Sequence, residues 1–433
     1  MDTRTAQALI RFGLGRRGEE PLPADPAGWL LGQLAGADPG ITPAPTTETG
    51  LTVLRSDRQM KPPPGESQSR LVYRTDMAAL MDRALTGPTP FRERLVRFWA
   101  NHFTVSTREG ACAAVAGAFV QEAIRPHVTG RFGDMLLAVM RHPAMLLYLN
   151  NAQSIGPNSP AGLRNDKGLN ENLARECLEL HTVSPAAHYT QADVTSFAAI
   201  LTGWSIALEA DPPGFLFRPR AHEPGPKTLL GQEFPPGEDG GVAALAFLAD
   251  HPSTHRFLAT KLVRHFVADA PPPDTVRPIE AVLRDTRGDL GAASRALVHL
   301  DAAWTPLRKL RSPQDYMIAV MRAADLHTDD IPPEKRPDPV GIAARLGQPM
   351  FNAPLPNGWP DQAADWAAPE ALLRRIDWSY GFAARLGAAE PMNVAEASLG
   401  PFLDDATMEQ IRHAGSRRDA MTLLLASPAF QRR

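Results

Sequence analysis

Hydrophobic positions along the chain recur mostly at the three- and four-residue spacing of an amphipathic helix, in segments separated by proline and glycine. In PFRERLVRFWANH, Phe91, Leu95, Phe98, Trp99 and His102 share one side, which predicts a helix burying four large apolar groups together with an imidazole. Residues 131–149 carry two apolar stretches interrupted at His142-Pro143, where proline ends or kinks a helix, and predict a helix–turn–helix pair. In LNENLARECLELHT, 169–182, the stripe is Leu169, Leu173, Cys177 and Leu180. Thr190 to Asp193 reads as a capping box opening the next helix, with Asp in place of the usual Glu or Gln. Helix-compatible stretches continue at 241–250, 252–268, 275–285, 289–299, 312–326, 367–387 and 405–426. Only FLFRPRAHEPGPKTLLGQEF, 215–234, alternates in short pieces around turn residues, and it predicts one β-hairpin.

The expected fold class is therefore all-α: one large multi-helix domain with two lobes and a small hairpin. The boundaries read as an N-terminal lobe over 1–210 with a polar core, a hairpin and loop junction over 211–240, and a C-terminal lobe over 241–433. No strand–helix alternation repeats, which disfavours a doubly wound α/β sheet, and no fixed period suggests a solenoid. Segment 38–66, with PGITPAPTTETG and KPPPGESQ, lacks an apolar period and reads as a long, mobile surface loop.

Composition narrows the partners. Hydrophobic residues at 43% and charged residues at 21% fit a packed globular chain. The net charge is −3, with 45 basic residues scattered among 48 acidic ones, so no basic stripe is available for a nucleic-acid backbone. Cys112 and Cys177 sit in apolar helical stretches and read as free thiols acting as small hydrophobes, which excludes a disulfide framework. The first twenty residues hold only Ala6 to Ile10 as an apolar run, too short for a secretory core. Nothing later approaches the ~18 uninterrupted apolar residues of a membrane helix. The expectation is a soluble cytoplasmic protein, with export alongside a partner as the alternative.

Several segments, in collinear order over almost the whole chain, carry a family resemblance: RFGLG, FWANHF (98–103), HPAMLLYLNN (142–151), NENLARECLELHT (170–182), YTQADV (189–194), LTGW (201–204), HEPGPKTLLG (222–231), KLVRHFVADAPPP (261–273), GDL (288–290), KLRSP (309–313) and PNGWP (356–360). The chain resembles the bacterial domain-of-unknown-function family 1800. The resemblance implies a family without a settled activity, whose members are often exported and often encoded beside a second uncharacterised family, so a protein partner encoded nearby is expected. Two departures stand out. An export signal is not evident, and Val183 to His188 replaces the family's glycine-rich turn after the ENLARE helix.

Candidate chemistry begins on that helix. Glu171, Arg175 and Glu179 fall at i, i+4 and i+8, the spacing of an exposed ion-pair ladder. Glu176 lies at the edge of the apolar arc, where partial desolvation raises a carboxyl's pKa or demands a basic partner, and His181 lies within the arc. His102, in the aromatic stripe of its own helix, needs a hydrogen-bond partner in the core. These residues suggest that His102 approaches the Glu176 and His181 side, giving an acid–base pair or a His/carboxylate metal site. The other reading is a structural histidine that holds two helices in register. Candidate catalytic residues are thus His102, Glu176, Arg175 and His181, with His102 and Glu176 as the ligands of any metal.

His222 and Lys227, in the rigid HEPGPK loop, are candidate substrate-binding residues, or simply loop residues packed onto the protein. Trp204 and Trp359 join them if they line a cleft rather than plug a core edge. Lys261, Arg264 and His265 form a basic turn, read either as an anion site or, more simply, as a solvated face. His251 and His255 read as capping and surface residues. GLGRRG (13–18) fits G-x-G-x-x-G but sits in no strand–helix–strand unit and is rejected as a dinucleotide fingerprint. No serine elbow, Walker loop, HExxH or paired-Cys zinc pattern occurs, and no cofactor is evident. Two functions remain open: a non-catalytic accessory or assembly protein with a structural His/Glu/Arg network, or an enzyme or metal-binding protein built on His102 and Glu176.

Overall fold

The computed structural model describes every residue except 41–45, 64, 166–167, 326–336 and 387–388. It is mostly helical, with two small two-stranded antiparallel sheets among the described residues. Nearly all buried apolar side chains, from Ala8 to Phe430, form one continuous cluster, so both sequence halves share a core.

The FWANH helix, Pro90–His102, runs through that cluster. Pro90 at its first turn sets the entry, since proline loses no needed N–H there. Phe91, Leu95 and Trp99 are fully buried, each side chain contributing roughly 1.5–3 kcal/mol. Arg92, Glu93 and Arg94 are buried as well, which the one-sided pattern did not anticipate. A helix covered on all sides can carry such charges only if they are paired, and Arg94 reaches Asp315 at 3.0 Å.

The expected break at His142 is present: helices span Phe132–Arg141 and Pro143–Tyr148, with His142 Nδ1 accepting from Ala144 N–H as the second helix's cap. The capping box at Thr190 is also formed, opening the helix Gln191–Ile200. The ENLARE stretch differs. It is α-helical over Asn172–Glu176 and then widens into a π turn over Cys177–His181. The extra residue per turn buries Leu178 and His181 with Leu173 and Cys177, leaving Leu180 partly exposed.

Two further expectations are corrected. Segment 38–66 is not a continuous loop: Thr47–Met60 is a helix, capped by Thr46 and burying Thr47, Gly50, Leu51 and Leu54, while 41–45 and 64 lie outside the described residues. Its buried stripe includes a threonine and a glycine, so it carries little hydropathy signal. The single hairpin becomes two. Trp204–Ala207 (β1) pairs with Gly214–Phe217 (β2), and Lys227–Leu229 (β3) pairs with Gln232–Phe234 (β4). The helix-compatible stretch 405–426 is helical, as two helices, Asp405–Arg412 and Arg417–Ala426, because Ser416 caps the second.

Gly50 yields a prediction of unusual sign. Gly→Ala inside a helix ordinarily stabilises by roughly 1 kcal/mol. Here an added Cβ would lie 2.1 Å from the Ala114 carbonyl oxygen, a backbone atom that cannot step aside. Gly50→Ala is therefore expected to destabilise by about 1–3 kcal/mol, measured as a lower urea midpoint. A raised midpoint would mean that the Thr47–Met60 helix is not seated as described.

Candidate functional site: a cationic cavity

A cavity of about 500 Å³ opens between the FWANH helix, the KLVRHF helix (Pro252–Phe266), the start of the helix Pro313–Ala323, and the loop that carries PNGWP. Its size suits a small organic ligand. The KLVRHF helix starts at Pro252, where His251 Nδ1 accepts from Ser253 N–H. It buries Leu258, Leu262 and Phe266, which places Phe257, Lys261 and Arg264, spaced by four and three, on the side toward the cavity.

The loop is fixed by a reciprocal pair: Asn101 Nδ2 donates to the Trp359 carbonyl at 2.9 Å, and Trp359 N–H donates to Asn101 Oδ1 at 2.8 Å. Gly358 has φ +76°, and an added Cβ would come 2.4 Å from the Asn101 carbonyl, so glycine is needed where loop and helix meet. Trp359 thereby becomes part of the wall, its indole N–H donating to the Pro349 carbonyl at 3.2 Å.

Charges around the cavity fall into two groups. One is closed on itself. Asp315 sits 3.0 Å from both Arg94 and Arg433, and Arg433 also reaches Asp361 at 3.0 Å and the His265 carbonyl at 3.0 Å. His265 Nδ1 lies 2.9 Å from Asp361. Burial alone would raise the pKa of Asp361, but His265, Arg433 and Lys309 bring it down to about 2. Nearby, Arg125 and Glu93 pair at 2.8 Å, with Asp38 3.3 Å from the same guanidinium.

The second group is open. Arg97 donates only to Gln314 Oε1, at 2.8 Å, and Arg264 only to the Asp269 carbonyl, at 3.2 Å. Lys261 rests against the Phe257 ring, 5.5 Å from its centroid. Among the described residues none of these three cations has a carboxylate within ion-pair distance, and the Lys261 ammonium makes no hydrogen bond. Burial pushes the Lys261 pKa down to about 8, with Asp361 opposing and Arg264 reinforcing the shift.

His102 lines the cavity near Lys261, whereas His181 is buried beside His102 and does not line it. His102 is buried among Trp99, Phe103, Phe132 and Phe257, with the His181 ring 5.9 Å away, and its Nε2 donates to the His181 carbonyl at 3.1 Å. Burial, then the charge of Lys261, holds both imidazoles neutral, with His181 brought down to about 3. His102 Nδ1 and both His181 ring nitrogens have no hydrogen-bond partner among the described residues.

The other candidates lie apart from this arrangement. Glu176 is half-buried, its pKa raised by burial and then by Glu179, and it makes no hydrogen bond or ion pair to either imidazole. Arg175 forms the expected ladder contact with Glu171 at 2.9 Å and bonds Gln191 at 2.9 Å. Glu179 instead accepts from the Tyr189 hydroxyl at 3.5 Å. His222 is consumed structurally, with Nδ1 donating to the Thr202 carbonyl at 2.9 Å and Nε2 accepting from Gly237 N–H at 2.8 Å, while Lys227 donates to the Glu223 carbonyl. Trp204 is fully buried against Phe215, with Arg141 over its ring. Two surface assignments are corrected: His255 is buried, and Lys261, Arg264 and His265 line the cavity rather than a solvated face. No group of three His, Cys, Asp or Glu side chains that could hold a metal ion occurs among the described residues.

No helix among the described residues is long and apolar enough to cross a membrane. No curated protein and no solved structure matches the chain. A family model described as protein of unknown function (DUF1800) matches residues 7–432, spanning the FWANH, ENLARE, KLVRHF and PNGWP segments that build the fold around the cavity, and the chain belongs to that family.

Proposed function

We propose that the protein binds a small organic anion with an apolar body in the cavity between the FWANH and KLVRHF helices. One observation carries this reading: Arg97, Lys261 and Arg264 face the same cavity without carboxylate partners, whereas Arg94, Arg125 and Arg433 beside them are paired. Unpaired cations in a partly desolvated site favour an anion. Phe257, Phe98 and Trp359 supply apolar wall for the rest of the ligand. His102 enters as a neutral polar group of the lining, whereas His181, Glu176, Arg175, His222, Lys227 and Trp204 do not line the cavity.

Phenylacetate, a carboxylate on an aromatic ring, is the simplest probe. Calorimetric titration is expected to give one saturable site whose affinity falls with added salt, and Arg97→Gln is expected to weaken it about tenfold or more, the loss of one charged hydrogen bond. Absence of saturable binding, or an affinity indifferent to Arg97→Gln, would reject the reading. The accessory or assembly role then becomes the better account, with the buried Glu93–Arg125–Asp38 group as its structural polar core.

A further inference from the structure

We infer that Lys261 is a nucleophile that forms an imine with a small carbonyl compound bearing a carboxylate, of the 2-oxo acid class, an inference that rests on the cavity's being an anion site. The chain has only six lysines among 45 basic residues, so arginine is its usual cation. Lys227 is bonded to the Glu223 carbonyl and Lys309 to Asp269 and the Asp361 carbonyl, while Lys61 is exposed. Lys261 alone among the described lysines lines the cavity, with its amine uncommitted.

An arginine there would hold an anion at least as well and could not act as a neutral amine. What lysine adds is a lone pair, available once the ammonium gives up its proton. Burial of the side chain favours that loss and outweighs the opposing charge of Asp361, and Arg264, one turn later, reinforces it. With a pKa near 8, Lys261 holds about 300-fold more neutral amine at neutral pH than a lysine at 10.5.

The step balances without an oxidant or reductant. The neutral amine adds to the carbonyl carbon, forming a C–N bond as the C=O π pair moves to oxygen. The nitrogen gives up a proton and the oxygen takes one, producing a carbinolamine. Protonation of that hydroxyl by solvent at the cavity mouth, where Gln362 and Asp365 are exposed, releases water and leaves a protonated imine. Arg97 and Arg264 are placed to hold the adjacent carboxylate.

Phenylpyruvate with sodium cyanoborohydride tests this, since reduction converts the imine into a stable secondary amine that peptide mass spectrometry can map. The expected result is an adduct on Lys261 at least about tenfold above that on exposed Lys61, suppressed by excess phenylacetate. Lys261→Arg should lose the adduct, because a guanidinium does not form the imine. The wild-type map alone remains decisive if that variant does not fold. Equal labelling of Lys61 and Lys261, or phenylacetate binding with no adduct at Lys261, overturns the imine and leaves the anion site standing. Failure of both compounds to bind overturns both.

Discussion

Replacing Asp315 by Ala is expected to cost about 3–5 kcal/mol of folding stability, a large share of what a domain normally has. The carboxylate is buried between two guanidiniums, 3.0 Å from Arg94 and 3.0 Å from Arg433. Burial by itself would raise its pKa. Arg94, Arg433, Arg97 and His265 overcome that and hold it far below the ordinary carboxylate range. Removing it leaves Arg94, about 4% exposed at the side chain, without a counter-ion, and leaves Arg433, about 2% exposed, with Asp361 alone. Truncating Glu171 provides the control, because its partner Arg175 is 39% exposed and such a pair contributes about 0–1 kcal/mol. Urea unfolding of the two variants measures the contrast. Similar midpoints would show that the Asp315 cluster is not desolvated as described.

Acidification is expected to destabilise the fold from about pH 6.5 downward. His181 and His265 are lowered from 6.5 to about 3 and about 4, in both cases first by burial. Lys261 adds to the shift at His181, and at His265 Arg433 adds to it while Asp361 opposes it. In that window the unfolded chain binds protons that the folded chain refuses, so stability falls as pH falls. Each tenfold gap in proton affinity is worth about 1.4 kcal/mol, so His181 alone accounts for about 3 kcal/mol by pH 4. Asp361 acts in the same direction lower down: its pKa falls from 3.8 to about 2, so its stabilisation is present above 3.8 and is lost toward about 2. Urea midpoints followed from neutral pH to about pH 4 should decline, and His181→Leu should flatten the decline. A constant wild-type midpoint across that range contradicts the burial of both imidazoles.

The fold was legible where hydropathy carried it. Phe91, Leu95 and Trp99 mark a buried helix because large apolar groups recur at helical spacing, and His142-Pro143 marks a break because proline cannot continue one. The helix Thr47–Met60 was hidden because threonine and glycine occupy part of its buried stripe. The π turn at Cys177–His181 was hidden for a different reason, since it shifts backbone register without altering residue type.

The site was only half legible. His102 needed a core partner, and it has one, but that partner is the backbone carbonyl of His181, which no side-chain pattern announces. The basic turn at Lys261, Arg264 and His265 did contain a usable signal, because Phe257 precedes Lys261 by four residues and puts an aromatic on the same face as two cations. What decides between a solvated face and a cavity wall comes from distant sequence: Asp361 lies 96 residues from His265, and Arg433 lies 168 from it. Those contacts are tertiary, and helical spacing says nothing of them.

On the proposed function, the unpaired cations hold an organic anion against the aromatic wall. Crystals of the protein soaked with p-iodophenylacetate locate such a ligand without reference to any activity, since iodine scatters anomalously. An iodine peak is expected against Phe257 and Trp359, with the carboxylate directed at Arg97, Lys261 and Arg264. An empty cavity at saturating ligand, or ligand bound only elsewhere on the surface, would contradict it.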